Sequence, residues 1–180
     1  MSPGGSSGGE SALLALHGSF IGVGTDIGGS VRIPGAFTNL YSLRPSFGRF
    51  PTYGSKTALA GQEAINSVNG MLPLDCTELG PLGHSPRDIK LYSKIIVDTK
   101  PWLVDPKVVS IPWRSIELPA KLSFAVIKSN KVVNPLPPVA RGLEIAISKL
   151  KEAGHEIIEW ELSDQRDVAA LSVCSYPRTD

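Results

Sequence analysis

Two glycine-rich segments carry the hydroxyls that could act as nucleophiles: Gly4-Gly5-Ser6-Ser7-Gly8-Gly9-Glu10 and Gly24-Thr25-Asp26-Ile27-Gly28-Gly29-Ser30-Val31-Arg32-Ile33-Pro34, with 24 residues from Ser6 to Ser30. The first contains Gly-x-Ser-x-Gly twice, centred on Ser6 and on Ser7, which nominally matches the nucleophile elbow of α/β-hydrolases. An elbow needs a strand before it, and only five residues precede Ser6. Gly22-Val-Gly-Thr-Asp-Ile-Gly is a loose dinucleotide loop whose third glycine falls one position late, with Pro34 in the helix that would receive the pyrophosphate. A phosphate-binding loop is excluded because no Gly-Lys-Ser/Thr follows the glycines. His17, His84 and His155 are far apart, and no His-x-x-x-His or Cys-x-x-Cys spacing occurs, so no metal site is expected.

The elements that must hold these loops are short. Ten of the eighteen glycines lie in the first 35 residues, where only Glu10, Asp26 and Arg32 are charged. Glycine lets backbone and ligand atoms approach closely, so this concentration predicts a tight, buried loop system. A short buried helix is expected over about 9–17, stopping at Gly18, then a buried strand at 19–24 and a loop from Thr25. Residues 40–70 alternate short apolar stretches with proline and glycine, which fits strands and loops but no long helix. Ser85-Pro86-Arg87-Asp88 predicts a capped helix running to about Val97 that buries Ile89, Tyr92, Ile95 and Ile96. A proline-punctuated crossing from Pro101 to Pro119 follows. A β-α-β unit then closes the reading, with strand 122–127, helix 137–153 stopped by Gly154, and strand 156–162. Val139, Leu143, Ala146, Ile147 and Leu150 are expected to face its sheet. The fold class is α/β.

Composition narrows the function classes. Of 180 residues 42% are hydrophobic and 19% charged, mean hydropathy is +0.04, and no window approaches a membrane span. Eighteen basic against seventeen acidic residues give a net charge of +1, which argues against nucleic acid and anionic membranes as partners. Cys76 and Cys174 read as reduced thiols, and the first residues carry no targeting signal, so the expected location is the cytoplasm.

Taken together, the two serine loops resemble the amidase signature family, with Leu43-Arg44-Pro45 following as in its members and a looser likeness continuing to about residue 162. Gly48-Arg49-Phe50-Pro51 and Val108 to Arg114 are most similar to its acetamidase-type members. The resemblance implies a mixed β-sheet core covered by helices and hydrolysis of the C–N bond of small carboxamides without a cofactor. Amide hydrolysis requires an activated nucleophile, a proton route to the leaving amine and donors for the oxyanion. By resemblance, Ser30 is the nucleophile that carries the acyl group, and Ser6, on a cis peptide bond, passes its proton to a lysine. The amides of Ile27, Gly28, Gly29 and Ser30 form the oxyanion hole, and Ser7, Thr25, Asp26 and Arg32 hold the two loops.

The sequence also departs from the family. The lysine base lies many tens of residues before the Ser6 motif in the family, and the lysines here, from Lys56 to Lys151, fall in segments that match non-catalytic parts. Residues 1–165 therefore read as a partial amidase signature domain lacking that lysine, with an insertion at about 69–79 and a divergent tail at 166–180. Two rival readings stand beside the hydrolase: a catalytically dead remnant or amide-binding pseudoenzyme, and a nucleotide-binding module using the Gly22 loop. Oligomeric state and acyl-chain preference leave no mark in the sequence.

Overall fold

Glu10 to Leu16 are good helix formers, and in the computed structural model they wind helix α1, Gly8–Ala15. The structure describes residues 2–54, 78–130 and 133–161; most of the expected insertion, the 166–180 tail, Cys76 and Cys174 lie outside them. Two compact units divide the chain at Ser115/Ile116, within the proline-rich crossing.

In the first unit α1 buries one side only, through Gly8, Ser11 and Leu14, while Leu13 and Leu16 are exposed. The expected stop at Gly18 comes one residue early. His17 itself takes the left-handed turn at φ 56°, and the Gly18 amide donates to the Leu13 carbonyl at 2.9 Å. Strand β1, Ile21–Asp26, starts and ends two residues later than the sequence suggests, so Thr25 and Asp26 belong to the strand and not to the loop. Helix α2, Arg32–Phe37, was not expected, because Pro34 reads as a breaker. Pro34 is instead the third residue of the helix, where its missing N–H would have had no intrahelical partner.

A second strand, β2 at Tyr41–Ser42, and a third, β3 at Glu78–Gly83, complete an antiparallel sheet in the order β1-β3-β2. β3 lies in the middle, pairing Asp26 with Glu78 and Ile21 with Gly83 on one side, and Ser42 with Leu82 on the other. Leu14 of α1, Val31 at the head of α2 and Leu82 of β3 form the buried core, with Leu40 packed against it. Helix α3, Pro86–Asp98, is capped as its sequence predicts: the Ser85 hydroxyl accepts from the Asp88 amide at 3.2 Å and Pro86 opens the helix. Its buried face is made by Ser93 and Val97, with Ile89, Tyr92 and Ile96 half-buried. Ile95 is exposed, contrary to expectation, because a three-stranded sheet covers only a narrow stripe of the helix. After the 3-10 turn Pro101–Leu103 the crossing is irregular to residue 122, as its prolines require.

The second unit is a β-α-β unit. Strands β4, Ser123–Val126, and β5, Glu156–Glu159, pair in parallel, with helix α4, Pro137–Glu152, between them in sequence. Gly154 ends α4 at φ 86°, and the His155 amide returns to the Leu150 carbonyl at 3.0 Å. Of the five residues expected to face the sheet, Ile147 is buried and Leu143 and Leu150 are half-buried. Val139 and Ala146 are exposed, because two strands are narrower than the stripe the spacing draws. Helices together with antiparallel and parallel strand pairing make the chain α/β. No helix among the described residues is long and apolar enough to cross a membrane.

Candidate active site

β1 and α1 bring the two serine loops into contact. The loop Gly4–Ser7 enters α1, and the loop Ile27–Val31 joins β1 to α2. The Ser7 amide donates to the Ser30 carbonyl at 3.0 Å, a direct backbone tie between them. The Ser7 hydroxyl bridges to β1: it donates to the Thr25 carbonyl at 3.3 Å and accepts from the Thr25 amide at 3.2 Å. This approach needs Gly24 beneath it, since a Cβ there would lie 2.7 Å from the Ser7 Cβ and 2.9 Å from Val31 Cγ2. The Gly5–Ser6 peptide bond is cis. Ser6 is exposed and Ser30 half-buried.

Asp26, fully buried at the end of β1, organises the second loop. Its Oδ1 accepts from the Gly29 amide at 2.6 Å, and its Oδ2 from the amides of Val31 and Arg32 at 3.2 and 3.4 Å. The carboxylate thus grips the backbone on both sides of Ser30. The Arg32 guanidinium closes on it in a fork, Nε to Oδ2 and Nη2 to Oδ1, both at 2.9 Å. Burial alone would push this carboxyl's pKa up. The Arg32 side chain and the amides of Gly29, Val31 and Arg32 outweigh it and hold the group well below the usual carboxylate range. The same pairing raises the pKa of Arg32.

Hydrogen bonds join the two loops through Ser7 with Thr25 and Ser30, and brace the second through Asp26 with Gly29, Val31 and Arg32. Ser7, Thr25, Asp26 and Arg32 form this hydrogen-bonded frame, and Ser6, Ile27, Gly28, Gly29 and Ser30 lie in the loops it frames. Of the four amides expected at an oxyanion hole, that of Gly29 is engaged by Asp26 in this structure. Among the described residues no lysine hydrogen-bonds Ser6 or Ser30. Arg44 is the member that sequence reasoning left without a role: its Nε lies 4.0 Å from Asp26 Oδ1. Its signal in the sequence is the Leu43-Arg44-Pro45 run that contributes to the family resemblance, which gives Arg44 no role.

Comparison with known proteins shows the family to which the chain belongs. The family model described as Amidase matches residues 1–179. An acetamidase of Aspergillus oryzae is 43% identical over 168 residues, covering 89% of this chain and 29% of the relative. A putative amidase of Schizosaccharomyces pombe is 42% identical, covering 92% of this chain and 30% of its own length. Among solved structures, fatty acid amide hydrolase superposes with a TM-score of 0.77 at 36% identity, over 92% of this chain and 28% of that one. A bacterial aryl acylamidase of the amidase signature enzymes shares the fold with a TM-score of 0.66 at 24% identity, over 93% of this chain and 33% of that one. The chain spans less than a third of the length of the curated relatives named here. With a family match over nearly its whole length and the two serine loops joined through Ser7 and Ser30, the chain belongs to the amidase family.

Proposed function

We propose that this chain carries the serine half of an active site that hydrolyses the C–N bond of small carboxamides. The Ser30 hydroxyl attacks the amide carbonyl carbon and its proton passes to Ser6. The tetrahedral oxyanion collapses to an ester on Ser30 as the leaving nitrogen takes up a proton, and water then releases the carboxylic acid and regenerates Ser30. Ile27, Gly28, Gly29 and Ser30 supply the oxyanion donors; with Gly29 shared by Asp26, the amides of Ile27, Gly28 and Ser30 carry most of that load. Ser7, Thr25, Asp26 and Arg32 keep both loops in register.

The base that receives the proton from Ser6 is a lysine not assigned among these 180 residues, and the greater length of the relatives leaves room for a segment that bears it. The observation that carries this reading is the Ser7–Ser30 hydrogen bond, which sets two serine loops from different parts of the sequence side by side. The alternative is a family member that binds amides without cleaving them.

The full-length protein is assayed for acid and ammonia release from acetamide and hexanamide, with Ser30→Ala as control. Turnover of ~1 s⁻¹ or more that disappears in the control supports the hydrolase. Saturable amide binding without turnover supports the second reading.

A further inference from the structure

We infer that Arg44 is a positioning residue of the Ser30 loop, acting through the Asp26 carboxylate. This rests on the hydrolase reading and adds to it the residue that ties the end of β2 to the nucleophile loop.

Asp26 is fully buried, and its two oxygens hold the backbone on both sides of Ser30. One guanidinium, that of Arg32, follows Ser30 by two residues at the first position of α2, directly after the loop it steadies, with a side chain 52% exposed. Arg44 comes from elsewhere. It follows β2, where the Leu43 amide donates to the Pro81 carbonyl of β3 at 3.1 Å, so its backbone is fixed by the sheet and not by the loop. Its side chain is only 24% exposed and its Nη1 donates to the Pro45 carbonyl at 3.2 Å, which orients the guanidinium. From there Nε stands 4.0 Å from Oδ1, the oxygen that takes the Gly29 amide. At that distance the attraction is Coulombic, without a hydrogen bond, and it acts on a carboxylate removed from water, where screening is weakest. The sheet thereby fixes where Oδ1 sits, and Oδ1 fixes the amide that precedes Ser30.

The full-length protein is compared as wild type, Arg44→Gln, Arg44→Lys, Asp26→Asn and the Asp26→Asn/Arg44→Gln pair. Gln keeps most of the side-chain length and loses the charge. Arg44→Gln is expected to lower kcat about tenfold to a hundredfold with KM within about twofold, the signature of a misplaced catalytic group. Lys, which restores the charge, recovers most of the loss. Added to Asp26→Asn, the Arg44 substitution costs under about twofold more, since the charge it faces is gone. A kcat within twofold of wild type in Arg44→Gln, a Lys variant as poor as Gln, or a fully additive double variant overturns the assignment. If the wild type cleaves no amide, the hydrolase reading fails and acid unfolding still decides on Arg44. Loss of a cation 4.0 Å from the Asp26 carboxylate should move the acid midpoint up, and an unmoved midpoint refutes the link.

Discussion

The amide of Ser7 donates to the carbonyl of Ser30 at 3.0 Å, so each serine loop uses the other's backbone to complete its own. The same Ser7 places its hydroxyl between the amide and carbonyl of Thr25. One residue thus anchors the entry to α1 both to the strand that leads into the second loop and to that loop itself.

Ser7→Ala removes both contacts with Thr25 and leaves the backbone tie in place. It is expected to cost about 1 to 2 kcal/mol of stability, the range for neutral hydrogen bonds partly open to water. Urea denaturation at neutral pH measures it. A loss near zero would mean that the hydroxyl is replaced by solvent.

Asp26→Asn tests the anchor of the Ser30 loop. Breaking a fully buried ion pair costs about 3 to 5 kcal/mol; Arg32 is half exposed, so a loss of roughly 2 to 3 kcal/mol is expected at pH 7. The sign with pH follows from the lowered folded-state pKa. The contribution is complete above the ordinary value of about 3.9 and is lost as pH falls below it toward the folded value. The stability gap between wild type and variant should therefore be constant from pH 7 to 5 and narrow only at lower pH. A gap that narrows already above pH 5 contradicts the assignment.

Gly80→Ala sets a Cβ onto the Leu43 carbonyl oxygen, where the only relief is movement of backbone. β2 and β3 would have to separate at the Leu43–Pro81 hydrogen bond. The expected loss is about 3 kcal/mol or more, or failure to fold. Thermal unfolding at wild-type midpoint in this variant would show that the strands are less closely set than described.

Ser85→Ala removes the cap of α3 while leaving Pro86 in place. About 1 kcal/mol of stability should be lost, and Ser85→Asp, which retains an acceptor for the Asp88 amide, should restore most of it. Equal losses in both variants would place the effect elsewhere.

Residues 1–180 expressed by themselves are expected not to hydrolyse acetamide at ~1 s⁻¹, since a serine hydroxyl without a base is a weak nucleophile at neutral pH. Ammonia release against a Ser30→Ala control measures this. Ordinary turnover, absent in the control, would show that one of these residues already serves as base.

Features that depend on neighbours along the chain are legible in the sequence. Ser85, Pro86 and Asp88 specify a helix start within four residues, and the apolar spacing of 137–153 with Gly154 behind it specifies a helix and its end. The identity of the site was legible for the same reason, since the serines sit in two contiguous runs of glycine. How those runs meet depends on contacts between elements distant in the chain. β3, a strand carrying Gly80, Pro81 and Gly83, has no strand-like pattern of its own, yet it forms the centre of the sheet because β1 and β2 supply hydrogen bonds on both sides. α2 tolerates Pro34 because the helix begins at Arg32, a register set by the Asp26 carboxylate holding the amides of Val31 and Arg32. Ile95 and Val139 fit an apolar stripe and are nonetheless exposed, since helical spacing states which residues share a face and not how wide a sheet lies beneath it. Arg44 shows the same division: its charge is plain in the sequence, but that it faces a buried carboxylate 18 positions earlier depends on pairing between strands that no local pattern encodes.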